Sequence, residues 1–181
     1  MNKVELIPTP AQTVGPFFHL GCTDAHAVNC LAGPNAVGER IWLTCCVLDG
    51  NGDPLDDAMI EIWQADAEGR YNHPDGGGFG RMATDANGEC VFETVKPGRV
   101  SGNDGELQAP HWNVSVFARG VLKRLVTRIY FSGEASNSED AVLGLVPEAR
   151  RGTLMARSSR AGHWRFEVRL SGDGETVFFE V

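Results

Sequence analysis

The run Ile60-Glu61-Ile62-Trp63-Gln64, inside Ala58 to Ala65, alternates in side-chain character. A two-residue period sends neighbouring side chains to opposite faces, so the run reads as a strand with one buried face. Working outward, the same reading fits Ile41 to Leu48, Cys90 to Val95, Trp112 to Ala118, Leu125 to Phe131 and Arg165 to Leu170. Between them lie turn signals: Asp49-Gly50-Asn51-Gly52, Asp66 to Gly69, Pro74 to Gly78 and Asp85 to Gly88. Gly172 to Gly174 is expected to turn the last run into Thr176 to Val181 as a hairpin. About eight short strands at this spacing predict an all-β, antiparallel β-sandwich. One or two short peripheral helices are expected, the best candidate being Pro147 to Arg157, with proline suited to a first turn.

The chain has 181 residues, read as a single domain over 1–181 with an irregular arm over 1–40 and a sandwich core over 41–181. In the arm, Thr9-Pro10 and Gly15-Pro16-Phe17-Phe18 read as extended or turn segments, since a residue before proline is pushed away from the helical region. Phe17 and Phe18 suggest that the arm lies on its own body or on a neighbouring chain; a frayed terminus is the plainer alternative. Apolar residues make up 42% and charged residues 22%, an ordinary globular balance that argues against disorder. A net charge of −8 disfavours nucleic acid or an anionic membrane as partner. An anionic substrate would need a local basic residue to hold it. There is no signal-peptide pattern and no apolar stretch long enough to span a bilayer, so a cytoplasmic location is expected.

Five cysteines, Cys22, Cys30, Cys45, Cys46 and Cys90, show no metal spacing. They are expected as free thiols used as small hydrophobes, with Cys45 and Cys46 on opposite faces. Hydrolase elbows and nucleotide loops are absent, and Gly76-Gly77-Gly78 reads as a loop tip. Asp56-Asp57 and Glu139-Asp140 read as turn or cap positions. None of the five histidines forms an H-x-H or H-x-x-x-H pair. Taken alone, His111 is an ordinary hydrogen-bonded imidazole and Tyr71 an ordinary loop aromatic.

Taken together, several segments change that reading. Ile60 to Tyr71, Thr84-Asp85 with Gly88, Val95-Lys96-Pro97-Gly98, Ala109-Pro110-His111 and Arg128-Ile129-Tyr130-Phe131 come in the order of the intradiol ring-cleavage dioxygenases. The chain resembles that family over most of its length. Thr13-Val14-Gly15-Pro16-Phe17, Phe117-Ala118-Arg119-Gly120 and Gly174 to Phe179 resemble in particular the iron-free subunit of its heteromeric members.

The resemblance implies a non-haem Fe(III) held in relatives by two tyrosinates and two histidines, hard and borderline donors that suit the ferric state. The matching positions here are Tyr71, Val100, His111 and Asn113, and an arginine of the relatives falls on Gln108. Val100 cannot ligate, so these positions read as a vestigial site and the chain alone is expected to be inactive. The iron is then expected on a homologous beta subunit. With that partner, the implied reaction cleaves 3,4-dihydroxybenzoate between its hydroxylated carbons with O₂, giving 3-carboxy-cis,cis-muconate, an entry to the β-ketoadipate route. By resemblance, Thr13, Gly15, Pro16 and Phe17 line the substrate pocket, Phe17 replacing a common tyrosine, and Arg119 holds the substrate carboxylate. An arginine fork suits a carboxylate on independent grounds. The family also implies a higher oligomer of alpha–beta units. Two other readings stay open from the residues: a homomeric dioxygenase with its own iron, and a non-catalytic ligand-binding sandwich.

Overall fold

The alternating runs become strands of one mixed sheet. The computed structural model describes residues 7–71, 78–102 and 105–181. Its strands are β1 (Arg40–Leu48), β2 (Met59–Gln64), β3 (Gly78–Ala83), β4 (Glu89–Val95), β5 (Val100–Ser101), β6 (Leu107–Gln108), β7 (His111–Phe117), β8 (Leu125–Phe131), β9 (Met155–Arg160) and β10 (His163–Arg169). Eight of them follow the order β3-β2-β7-β8-β9-β10-β1-β4, while β5 and β6 make a separate ribbon. The expected all-antiparallel arrangement needs correction. β1 runs parallel to β10, and β8 runs parallel to β9. The link between the two halves is β9, which pairs with β8 at Tyr130↔Met155 and Phe131↔Ala156 and with β10 at Arg165↔Arg157.

The sheet curls until its edge strands are joined by the arm. Val28 exchanges backbone hydrogen bonds with Arg81 on β3 (2.8 and 2.9 Å). Leu31 donates to Glu93 on β4 (2.8 Å), and Glu93 donates back to Asn29 (2.7 Å). This part of the arm therefore closes a nearly continuous barrel and satisfies two edges that would otherwise be open to other chains. The interior is one apolar cluster drawn from both halves, including Ile41, Leu43, Phe92, Trp112, Phe131 and Phe166. Each such side chain contributes about 1.5–3 kcal/mol on burial. The buried Gln64 side chain beside it is fully bonded. Gln64 Oε1 accepts from Trp112 Nε1 (2.7 Å) and Thr94 Oγ1 (2.8 Å), and its amide donates to Val95 O and Ala65 O (both 3.0 Å).

Three further expectations are corrected. Pro16, instead of sitting in a turn, opens a short helix, α1 (Pro16–Cys22), with Gly15 extended before it; proline's missing N–H costs nothing at a first turn. The expected helix over Pro147 to Arg157 shrinks to α3 (Glu148–Arg151) and a 3₁₀ turn (Gly152–Leu154), following α2 (Ala141–Gly144). Pairing of Met155 and Ala156 with β8 overrides helix propensity there. The expected C-terminal hairpin forms only one rung, Thr176 N to Arg169 O (3.0 Å). The tail then crosses to the other half, where Phe179 N bonds Val126 O (2.7 Å). All five cysteines are free, and Cys45 and Cys46 are both buried. The loop-tip residues Gly76 and Gly77 lie outside the described residues, and Gly78 begins β3.

Candidate functional site

Tyr71 is placed by a turn that only glycine permits. Gly69 has φ +81°, and a Cβ there would sit 1.9 Å from Arg99 O. Gly98 N bonds Asp66 O (2.8 Å), and the Asp66 carboxylate accepts from the amides of Glu68 and Arg70 (3.0 and 2.8 Å). The Tyr71 turn is thus clamped to the segment leading into Val100. Val100 pairs with Gln108 across the β5–β6 ribbon. His111 and Asn113 share one face of β7, opposite Tyr130 and Arg128 of β8. Asn113 thus reaches Tyr71, His111 lies two residues along the same strand face, and Val100 sits opposite Gln108.

Their chemistry differs from that of a metal centre. Asn113 Nδ2 donates to the Tyr71 hydroxyl (3.1 Å), and the Tyr71 ring stacks on Trp63 with centroids 6.0 Å apart. Burial pushes the Tyr71 pKa up, outweighing the Asn113 bond and the Arg128 charge that act the other way, so it is a neutral phenol. His111 bonds Ala109 O through Nδ1 (2.7 Å) and leaves Nε2 buried without a partner. Burial first, and then the nearby Arg128 charge, bring its pKa down to about 4. Arg128 Nη1 donates to Gln108 Oε1 (2.8 Å) and to the Tyr130 hydroxyl (3.4 Å). Burial also raises the Tyr130 pKa. The Asp140 carboxylate accepts from Tyr130 (3.1 Å), Ala109 N (2.8 Å) and Leu143 N (2.7 Å), the last capping α2. Among the described residues no three His, Cys, Asp or Glu side chains come together as a metal set. A neutral phenol already bonded by an amide, one imidazole and an aliphatic side chain do not fit Fe(III).

The arm residues form a second cluster. Gly120 N donates to Thr13 Oγ1 (2.8 Å), joining the arm to the turn that carries Arg119. Phe18 of α1 packs on Phe117 with centroids 5.6 Å apart, while Phe17 points outward, 82% exposed. Arg119 pairs with Asp57 through Nε, and its side chain is 70% exposed. Met59 pairs with Phe117 at one end of the β2–β7 ladder and Trp63 with Asn113 at the other. About 13 Å of strand separates Asn113 from Phe117, and Arg119 lies beyond Phe117. The two clusters therefore occupy opposite ends of β7. Sequence reading assigned no role to Arg128, and Asp140 only a cap. Their part in the first cluster depends on strand register and on a long return from β8 to α2, neither of which leaves a local pattern.

The sequence profile of the dioxygenase family matches residues 13–172. The protocatechuate 3,4-dioxygenase alpha chain of Pseudomonas putida is 42% identical over 198 aligned positions, covering 98% of each chain. The protocatechuate 3,4-dioxygenase beta chain of Burkholderia cepacia is 35% identical, covering 92% of this chain and 77% of that one. Among solved structures, the dioxygenase domain of a dioxygenase–carbohydrate-binding fusion from Streptomyces sp. SirexAA-E is similar in fold. Its TM-score is 0.64 at 24% identity, over 91% of this chain and 99% of that one. With the dioxygenase profile matched over residues 13–172 and an alpha chain 42% identical over nearly the whole length, the chain belongs to the intradiol dioxygenase family.

Proposed function

We propose that the chain works as the alpha chain of a protocatechuate 3,4-dioxygenase, paired with an iron-bearing beta chain. The assembled enzyme opens the ring of 3,4-dihydroxybenzoate between its two hydroxylated carbons, incorporating both atoms of O₂, to give 3-carboxy-cis,cis-muconate. Fe(III) belongs to the partner in this reading, because the residues at the matching positions here do not fit it. The contribution of this chain is a wall and a charge. Thr13, Gly15, Pro16 and Phe17 face the partner's site, and Arg119 takes the substrate carboxylate. Phe17 has no hydroxyl, so its contact is apolar. Alpha–beta pairs assembling further would follow the family habit.

The observation that carries the reading is the Thr13–Gly120 bond (2.8 Å), which seats the arm beside Arg119 at the end of β7 away from Tyr71. A wall built there serves a site outside this chain. Against a homomeric enzyme with its own iron stands the Asn113–Tyr71 bond, which occupies the phenol such an enzyme would need. Arg119 pairs with Asp57 through a side chain that is largely exposed. Exposed pairs of this kind are worth about 0–1 kcal/mol, so a carboxylate ligand can share or displace it at little cost.

The test is reconstitution. The full chain purified alone is expected to lack a tyrosinate-to-iron absorption band and to turn over no 3,4-dihydroxybenzoate. Adding a homologous beta chain should give activity that neither chain has at that level alone. In that complex Arg119→Ala should raise KM about tenfold with kcat changed little, the pattern of lost uniform binding. A coloured, active isolated chain, or an unchanged KM for Arg119→Ala, would each refute part of the assignment.

A further inference from the structure

The Arg119 guanidinium is met by an acid on the neighbouring strand. Arg119 stands at the corner of a turn that Val121 N closes by donating to Ala118 O (3.3 Å), with Gly120 after it at φ +83°. A positive φ at the third place of a turn suits glycine. Met59↔Phe117 is the end rung of the β2–β7 ladder, and the same register carried two residues further sets Asp57 opposite Arg119. Side chains directly opposite one another start about 4.5–5.5 Å apart at Cβ. A short carboxylate there meets a long arginine before its tip, and the contact is made at Nε. The Asp57 side chain is 19% exposed and that of Arg119 is 70% exposed. The acid is the anchored member of the pair, and the arginine reaches outward from it. A guanidinium offers its donors along more than one edge. Asp57 takes the edge that includes Nε, and the end edge, with an N–H on each Nη, suits a second carboxylate as a fork.

We propose that Asp57 is a positioning residue for substrate binding: it holds Arg119 by Nε in one rotamer, so that Nη1 and Nη2 together face the ligand carboxylate. This role rests on the proposed contact between Arg119 and the carboxylate, and it adds the residue that sets the direction of that contact. Two effects of Asp57 on an anionic ligand have opposite signs. A carboxylate beside Arg119 lowers the positive potential that an approaching anion meets. Holding the arginine still removes the cost of ordering a long side chain when the ligand binds. The guanidinium stands largely in solvent, which screens the first effect. The second therefore wins, and loss of Asp57 weakens binding where a purely electrostatic competitor would strengthen it. Asp56, one residue earlier and exposed, carries the same charge and separates a local contact from the general field.

The test is steady-state kinetics of the reconstituted alpha–beta complex on 3,4-dihydroxybenzoate, with 3,4-dihydroxybenzamide as an uncharged competitor. Asp57→Ala should raise KM about threefold to tenfold, the loss expected when one rotamer-rich side chain must be ordered on binding. Its kcat should stay within about twofold, and the inhibition constant of the amide should not move. Asp57→Asn, which keeps an oxygen acceptor for Nε, should restore KM to within about twofold of the wild type. Asp57→Ser, too short to reach Nε, replaces Asp57→Ala if that variant does not fold. Asp56→Ala should leave KM unchanged. In an Arg119→Ala background, Asp57→Ala should add nothing, because a residue that acts only through Arg119 has no effect without it. The proposal is overturned if Arg119→Ala raises KM while Asp57→Ala leaves it unchanged or lowers it. An equal loss for the amide, an equal rise from Asp56→Ala, or the same rise in the Arg119→Ala background would each overturn it too. An unchanged KM for Arg119→Ala itself strikes the carboxylate contact, and the positioning role falls with it.

Discussion

Lowering the pH should reach this protein through His111 before it reaches most of the fold. The imidazole is 2% exposed, and its pKa is down from 6.5 to about 4, burial being the larger cause and the Arg128 charge the next. The Ala109 carbonyl and the Asp140 carboxylate push the other way without winning. Between pH 6.5 and about 4 the unfolded chain binds a proton at this residue that the native chain does not. Stability from this group is therefore complete above the unfolded pKa and is lost as pH falls through the window. The shift is worth on the order of 3 kcal/mol across its full range. Such a loss is a large part of the 5–15 kcal/mol typical of a domain. The matched perturbation is His111→Asn, which keeps a donor toward Ala109 O and removes the titration. Urea unfolding of both proteins, followed by tryptophan fluorescence from about pH 7.5 to about pH 4, gives two stability profiles. Carboxylate titrations elsewhere are common to both and cancel in the difference. The wild-type advantage should shrink by about 3 kcal/mol toward the acid end. Parallel profiles would refute the argument, because they would mean that His111 is protonated in the native state or reached by water.

Gln64→Leu should cost about 2–5 kcal/mol in denaturant unfolding, because Trp112 Nε1 and Thr94 Oγ1 would both lose their acceptor inside the core. Gly69→Ala should cost at least about 1–3 kcal/mol and speed hydrogen exchange at the Gly98 amide, since its Cβ collides with Arg99 O and its φ is left-handed. Thr13→Val should leave global stability within about 0.5 kcal/mol but make the arm ahead of α1 more readily cut in limited proteolysis, its tie to Gly120 being an exposed hydrogen bond.

The strands were legible wherever one face is buried and the other is not. β1, β2, β4, β7, β8 and β10 all begin and end within two residues of the alternating runs. β9 was not, because Arg157, Ser158, Ser159 and Arg160 are all exposed and Met155 and Ala156 earn their strand geometry from β8 alone. Parallel pairing of β1 with β10 joins segments more than a hundred residues apart, and no local feature encodes it. The arm looked irregular because Val28, Asn29 and Leu31 bond to edges contributed by distant strands. The site showed the same division. Tyr71, Val100, His111 and Asn113 could be located from the family order of the segments, but their new partners could not. Arg128 meets Gln108 only after the β7–β8 register brings its strand alongside.

That rewiring also explains how a fold can lose a metal centre and keep its shape. A buried polar group left without a partner costs about 1–3 kcal/mol, so removing ligands one at a time would strand the rest. Here two of the replacements supply bonds of their own, while Val100 adds only an apolar side chain. Asn113 donates to the phenol that would otherwise be an orphan, and Gln108 accepts from Arg128, which in turn reaches Tyr130. Asp140 gathers Tyr130, the Ala109 amide and the start of α2, tying β7, β8 and the following helix without a cation. His111 Nε2 is left unsatisfied in this cluster, and burial favours the neutral ring there. With the pocket held by its own hydrogen bonds, the opposite end of β7 carries no obligation to a metal in the same chain. Thr13, Phe17 and Arg119 are then free to be shaped by what a partner presents to them.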